Sequence, residues 1–215
     1  MGIKQRRERE RQEIRQSILS AARQIAIEEG WQAVTTRKIA DRIEYSQPTI
    51  YEYFDNKEAI LMALVYQGFE SVLLAMQTAK AQHEQPEDQL LAMTRAYWAF
   101  AFRCPELYQV MYGFGGVSFT HAETPAEARA TFALLRDALL CWMQREQVDL
   151  EEPNAAIDAL WGAVHGLITL TMAGRIAGGE QRARRIVEQT DHCPAIDERR
   201  PRVRRDATQG NAPGR

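Results

Sequence analysis

Side chains able to do covalent or metal chemistry are few in this chain, and they do not converge. Cys104, Cys141 and Cys193 lie far apart with no Cys-x-x-Cys spacing. Neither a zinc cluster nor a disulfide framework is expected from them, and a reducing cytoplasm suits such a set. His165 with Asp158 or Glu152 has the types of an acid–base pair, but a lone histidine on a largely apolar helix is usually structural. His192-Cys193 offers no ligand set. There is no G-x-S-x-G, no H-E-x-x-H and no phosphate-binding glycine loop, and "GFGG" at 113–116 has no strand before it. No catalytic residue, metal or cofactor is therefore expected, and a small helical enzyme is the weaker reading.

Polar chemistry of another kind is concentrated in "YSQPTIYEYFDNKEAI", residues 45–60. Ser46 can cap a helix, and Pro48 falls in its first turn, where a missing N–H costs no intrahelical bond. Ile50 and Phe54, four apart, form an inward stripe, while Gln47, Pro48, Tyr51 and Glu52 face the other way. So short a helix gains little stability by itself, so its polar face needs another reason. Residues 1–23 carry a basic excess that admits two readings: Lys4, Arg6, Arg7, Arg9, Arg11, Arg15 and Arg23 against Glu8, Glu10 and Glu13. Such charge can meet phosphates, or form a solvated face with Arg6/Glu10 and Arg9/Glu13 pairs. Residues 4–11 either extend the first helix or trail into a minor groove.

The elements that must position these groups read as helices nearly throughout. Ile14, Ile18, Ala22, Ile25 and Ala26 recur at helical spacing before Gly30. Thr35 or Thr36 caps a short helix over 37–43, whose Ile39, Ala40 and Ile43 face inward, and a third helix spans 47–54. Asp55 or Asn56 caps a fourth that reaches residue 80, and Asp55 with Glu58 fits a reciprocal cap. Pro86, Pro105, Pro125 and Pro153 punctuate further helices at 87–102, 106–112, 126–147 and 154–177, stopped by Gly178-Gly179. A short helix follows to residue 190. No alternating β-branched run suggests a sheet.

Two short helices joined at Glu44-Tyr45 have the form of a helix-turn-helix, whose second helix enters the major groove. The stretch "TTRKIADRIEYSQPTIYEYFDNKEAIL", residues 35–61, closely resembles the DNA-binding domain of the TetR family of transcriptional regulators. One position departs: this chain has Glu44 where that family usually places glycine in the turn, a site that favours positive φ. The resemblance implies that Gln47, Pro48, Thr49 and Tyr51 read the groove. It implies phosphate contacts from Thr36, Arg37, Ser46, Tyr53 and Lys57. "ALWGAVHGLITL", residues 159–170, is similar to the Trp-His-Gly motif of one class of TetR-type C-terminal domain.

These readings give an all-α protein of 215 residues with an arm and helix-turn-helix domain at 1–56. An effector-binding and dimerisation domain follows at 57–192, then a disordered tail at 193–215, rich in Arg, Pro and Gly. With 45% hydrophobic and 26% charged residues the composition is that of an ordinary globular chain. Residues 1–16 lack an apolar signal core, and the apolar run at 161–174 is too short for a bilayer, so no membrane partner is expected.

The expected partners are a palindromic double-stranded operator, a second copy of the chain and a small-molecule effector. Ala159, Gly162, Ala163, Gly166 and Ala173 form a stripe of small residues suited to a close helix partner. An aromatic-rich set suggests an effector pocket: Tyr97, Trp98, Phe102, Tyr108, Met111, Tyr112, Trp142, Trp161, His165 and Met172, with Phe114 nearby. A mostly apolar cavity with few polar groups is what a small-molecule site requires, and plain core packing is the competing account. The expectation is a cytoplasmic repressor released by an apolar or aromatic effector. The alternative is a helical interaction module without sequence-specific DNA binding.

Overall fold

A computed structural model describes residues 2–113, 115–116, 123–149 and 152–190. Phe114, His192, Cys193 and the whole 193–215 tail lie outside the described residues. Helices account for nearly all of the rest, with no strand among the described residues.

The first helix, α1 (Ile3–Glu29), is unbroken from the basic arm to the core, so residues 4–11 extend it. Its first turns are wholly exposed, whereas Ile18, Leu19, Ala22 and Ile25 are buried. Gly30, at φ 85°, turns the chain out of the helix, a conformation that glycine alone adopts freely. A single 3-10 turn (Trp31–Ala33) leads to α2 (Thr36–Arg42). Thr35 caps α2, its hydroxyl accepting from the Lys38 N–H at 3.1 Å.

The turn after α2 contains Glu44 at φ 60°. This is the left-handed conformation that a glycine would occupy at little cost. The helix α3 (Gln47–Tyr51) is three residues shorter than its sequence pattern suggested. Tyr53 and Phe54 still bond back to the Ile50 carbonyl, at 3.0 Å each, so the inward Ile50–Phe54 pair is kept by a tightened turn. Asn56 caps α4 (Lys57–Lys80) by accepting from the Ala59 N–H at 2.8 Å.

The remaining helices are α5 (Pro86–Arg103), α6 (Pro105–Met111), α7 (Ala126–Glu146), α8 (Pro153–Met172) and α9 (Gly179–Thr190). Each of α5, α6 and α8 begins on its proline, the residue whose N–H would have no intrahelical acceptor. The expectation that α8 runs to the Gly178-Gly179 pair is corrected. It ends at Met172, where Gly174 at φ 68° lets the Arg175 N–H reach back to the Leu170 carbonyl at 2.8 Å.

A central α4 packs against α5, α6 and α7, while α8 leans on α7, α5 and α9. One hydrophobic cluster runs from Ile18 through Leu64, Met76 and Tyr108 to Ile168 and Val187. Helices α4 and α8 are long and apolar enough to cross a bilayer by length and composition. Half of the apolar window of α4 is buried, as befits a core helix, but only 17% of that of α8. An apolar helix left so open has a surface that water does not favour.

Candidate functional site

At the polar end of the molecule, α2 and α3 present a connected set of side chains. The Gln47 amide donates to the Thr36 hydroxyl at 3.0 Å and approaches the Tyr51 hydroxyl at 3.4 Å. Thr36 and Tyr51 oxygens are themselves 3.4 Å apart. These contacts hold the exposed Gln47 amide through its nitrogen, and its carbonyl oxygen takes no part in them.

Gln47, Pro48 and Tyr51 are exposed and Thr49 half-buried. Ser46 stands at the start of α3, but its hydroxyl meets that of Thr49 at 2.9 Å instead of a backbone N–H. Arg37 is exposed, and Lys57 is the first residue of α4. Tyr53 is half-buried, with the Arg11 guanidinium 6.0 Å from its ring centre. Arg15 lies over Phe54 at 4.8 Å, so this cation braces the third helix from behind.

Other cations nearby have protein partners. Lys38 pairs with Glu29 and Arg42 with Glu28, each at 2.6 Å. A hydrogen bond from Arg42 holds the Glu28 carboxyl below its usual range. These surface pairs contribute little stability, but they fix α2 against the end of α1.

A cavity of about 560 Å³ opens in the other half, between α4, α5, α7 and α8. Phe69 and Met76 of α4, Phe132 and Leu135 of α7, and Ile157 and Val164 of α8 give it an apolar wall. Arg129, Arg136 and Asp158 also line it but are exposed, so they belong to its mouth. Tyr97, Tyr112 and Trp161, three of the sequence-expected residues, line it too.

Behind those three runs a chain of hydroxyls. Tyr97 donates to Tyr112 at 2.8 Å and lies 3.4 Å from Tyr108. The Tyr108 hydroxyl meets His165 Nδ1 at 2.5 Å. Trp161 stacks on His165 with ring centres 5.4 Å apart. Burial pushes Tyr97, Tyr108 and Tyr112 above the usual phenol range, because a phenolate there would be desolvated. Burial likewise lowers the His165 imidazole, which favours the neutral ring in its hydrogen bond with Tyr108.

The other expected pocket residues lie elsewhere. Trp98 is buried beside Phe102, ring centres 5.0 Å apart, and its indole nitrogen has no partner among the described residues. Met111 packs closely against Gly68, where no side chain would fit without moving it. Trp142 and Met172 are half-buried outside the cavity wall. Sequence reading passed over Phe69, Met76, Phe132 and Leu135.

A helix-turn-helix presenting an exposed, preorganised amide, joined by a long helix to a cavity-bearing bundle, defines a DNA-binding regulator class. Residues 18–64 match the model for bacterial regulatory proteins of the tetR family, and residues 90–191 that for the tetracyclin repressor-like C-terminal domain. The chain belongs to the TetR family of transcriptional regulators.

Among its relatives is an HTH-type transcriptional regulator of Mycobacterium tuberculosis, strain ATCC 25618 / H37Rv. It is 23% identical over 74% of this chain and 71% of its own length. The transcriptional activator FasR of Mycolicibacterium smegmatis is 22% identical over 75% of this chain and 70% of its own. A solved structure of similar fold is the regulator FadR of Bacillus subtilis in complex with stearoyl-CoA. Its TM-score is 0.67 at 17% identity, covering 81% of this chain and 96% of that one.

Proposed function

We propose that this regulator is a dimeric repressor that leaves a palindromic operator when a small, largely apolar effector fills the cavity between α4, α5, α7 and α8. In this reading residues 1–56 recognise DNA, and residues 57–192 bind the effector and pair the subunits. Gln47, Pro48, Thr49 and Tyr51 read the groove, while Thr36, Arg37, Ser46, Tyr53 and Lys57 hold the backbone. The observation that carries it is the cavity of about 560 Å³, lined by the same α4 that starts beside the DNA-reading face. Trp161 and His165 of the motif meet the tyrosines there, which favours a C-terminal domain of the Trp-His-Gly class.

Dimerisation through α7 and α8 is supported by the open apolar face of α8. Ala159, Gly162, Ala163 and Ala173 are exposed on it, and nothing stands within 4 Å of a side chain built at Gly162 or Gly166. Two-fold pairing would set two recognition helices about one DNA turn, ~34 Å, apart. An Ala163→Trp variant is expected to sediment as a monomer and to lose operator binding. A parent protein that is monomeric at micromolar concentration overturns the dimer.

Selection of bound sequences from a random DNA library tests the reading as a whole. Recovery of an inverted repeat whose binding weakens steeply with salt supports it. Enrichment of no sequence favours an interaction module. The activator among the relatives makes activation the second reading. A reporter with the recovered site overlapping or upstream of a promoter separates repression from activation.

A further inference from the structure

The exposed half of α1 carries more positive charge than its own acids neutralise. Of the two ion pairs that its spacing offers, Arg6 and Glu10 meet at 2.7 Å, while Arg9 and Glu13 form none. Lys4, Arg7, Arg9 and Arg11 are exposed and have no ion-pair partner among the described residues.

Arg7 and Arg11 differ from the other two in where they stand. Four residues apart, they share one face of α1 with Glu10 and Ile14. With Glu52 and Tyr53 at the end of α3, these side chains line a groove of about 420 Å³. The Arg11 guanidinium lies 6.0 Å from the Tyr53 ring centre. Glu10 is held by Arg6, and Glu52 makes no ion pair among the described residues. The groove therefore keeps two free cations against one free acid. Glu52 follows Pro48 by one helical turn, on the outward face that also carries Gln47 and Tyr51, so the groove opens beside that face.

A recognition helix of only five residues presents few base contacts, so its orientation on a duplex has to come from the backbone. Neighbouring cations without partners repel one another and gain from an anion that joins them. We propose that Arg7 and Arg11, with the Tyr53 hydroxyl, form a clamp for DNA phosphates bordering the major groove that α3 enters. The ligand is the backbone of double-stranded DNA, gripped without regard to sequence. The inference rests on α3 as the element that enters the groove, and it makes the long first helix a second point of grip.

The test uses the full chain and a mixed-sequence duplex of about 30 base pairs, roughly three helical turns. Anisotropy titrations at several salt concentrations give the slope of log affinity against log salt. Combining Arg7→Gln with Arg11→Gln is expected to flatten that slope by about 1.8, the share of two phosphates, and to weaken binding about thirtyfold near 0.15 M salt. Arg7→Gln alone, whose side chain is exposed, is expected to give about half the change in slope with an unaltered melting midpoint. Combining Arg182→Gln with Arg185→Gln removes the same charge from α9, which packs on α8, and is expected to keep the parental slope. A parental slope in the α1 variants leaves those arginines as a solvated face and overturns the clamp alone. An equal flattening by the α9 variant reduces the effect to net charge and also overturns it. A parent chain that binds no duplex even at low salt overturns DNA binding itself, and the clamp with it.

Discussion

The guanidinium of Arg23, on α1, closes on one carboxylate oxygen of Glu106 in the first turn of α6, with Nη2 at 2.5 Å and Nε at 3.1 Å. Glu106 is 6% exposed, the one buried charged side chain among the described residues. The pair crosses from the helix that braces the recognition unit to the helix that carries Tyr108. Removing Arg23 strands a buried carboxylate, so Arg23→Met is expected to destabilise the fold by about 1–3 kcal/mol. The figure is held below that of a fully buried pair because a third of the Arg23 side chain is exposed. A combined Arg23→Met, Glu106→Leu variant should regain most of that loss in urea denaturation. If Arg23→Met alone is neutral, the bridge is not structural.

If Gln47 reads a base edge as proposed, replacing it by alanine should weaken binding to the selected operator by about 1–3 kcal/mol. Lys57→Ala should instead weaken binding to all DNA alike and flatten its salt dependence by about one counterion. Gel-shift titrations at several salt concentrations distinguish the two. Equal losses on operator and random DNA for Gln47→Ala would remove it from the base readers.

Glu44 holds a left-handed conformation at φ 60° that costs a non-glycine residue about 1 kcal/mol. Glu44→Gly should therefore raise stability by up to about that amount, less the extra entropy of glycine in the unfolded chain. It should also strengthen non-specific DNA binding, because an acidic group leaves the recognition turn. The denaturation midpoint checks the first effect and random-sequence DNA the second. A Glu44→Ala variant should show the second without the first.

Burial lowers the His165 imidazole below its ordinary value of 6.5. The unfolded chain then binds a proton at higher pH than the folded one. This contribution to stability is present above about pH 6.5 and is lost as pH falls from there to the depressed folded value. Tyr108, Tyr112 and Trp161 surround the ring, and none supplies a charge to offset protonation. His165→Gln should lose less stability than the parent between about pH 7 and 5. Identical pH slopes for the two would mean that the ring is freely hydrated.

Much of the recognition unit was legible because its determinants are local. The Thr35 cap, the inward Ile39, Ala40 and Ile50, and the outward Gln47 and Tyr51 each follow from neighbours within one or two turns. The turn conformation of Glu44 was readable from a single departure from glycine. The cavity was only half legible, since helical spacing assigns a residue to a face but not to the helix opposite. Tyr97, Tyr112 and Trp161 were found by their chemistry. Phe69, Met76 and Phe132 look like core residues until the packing of α4 against α7 leaves a gap between them. The end of α8 was misjudged because Gly174 precedes the more conspicuous glycine pair, and one left-handed residue suffices to stop a helix.

The helix α4 has a mechanical consequence. Its 24 residues form a rod of about 36 Å at 1.5 Å per residue. If it pivots as a rigid body about its cavity end, a tilt of about 5° swings the opposite end by about 3 Å. That displacement nearly equals the rise of one base pair, about 3.4 Å. Under such a pivot, a small change in side-chain packing around Met76 would be magnified, at Lys57, into nearly one step of the double helix.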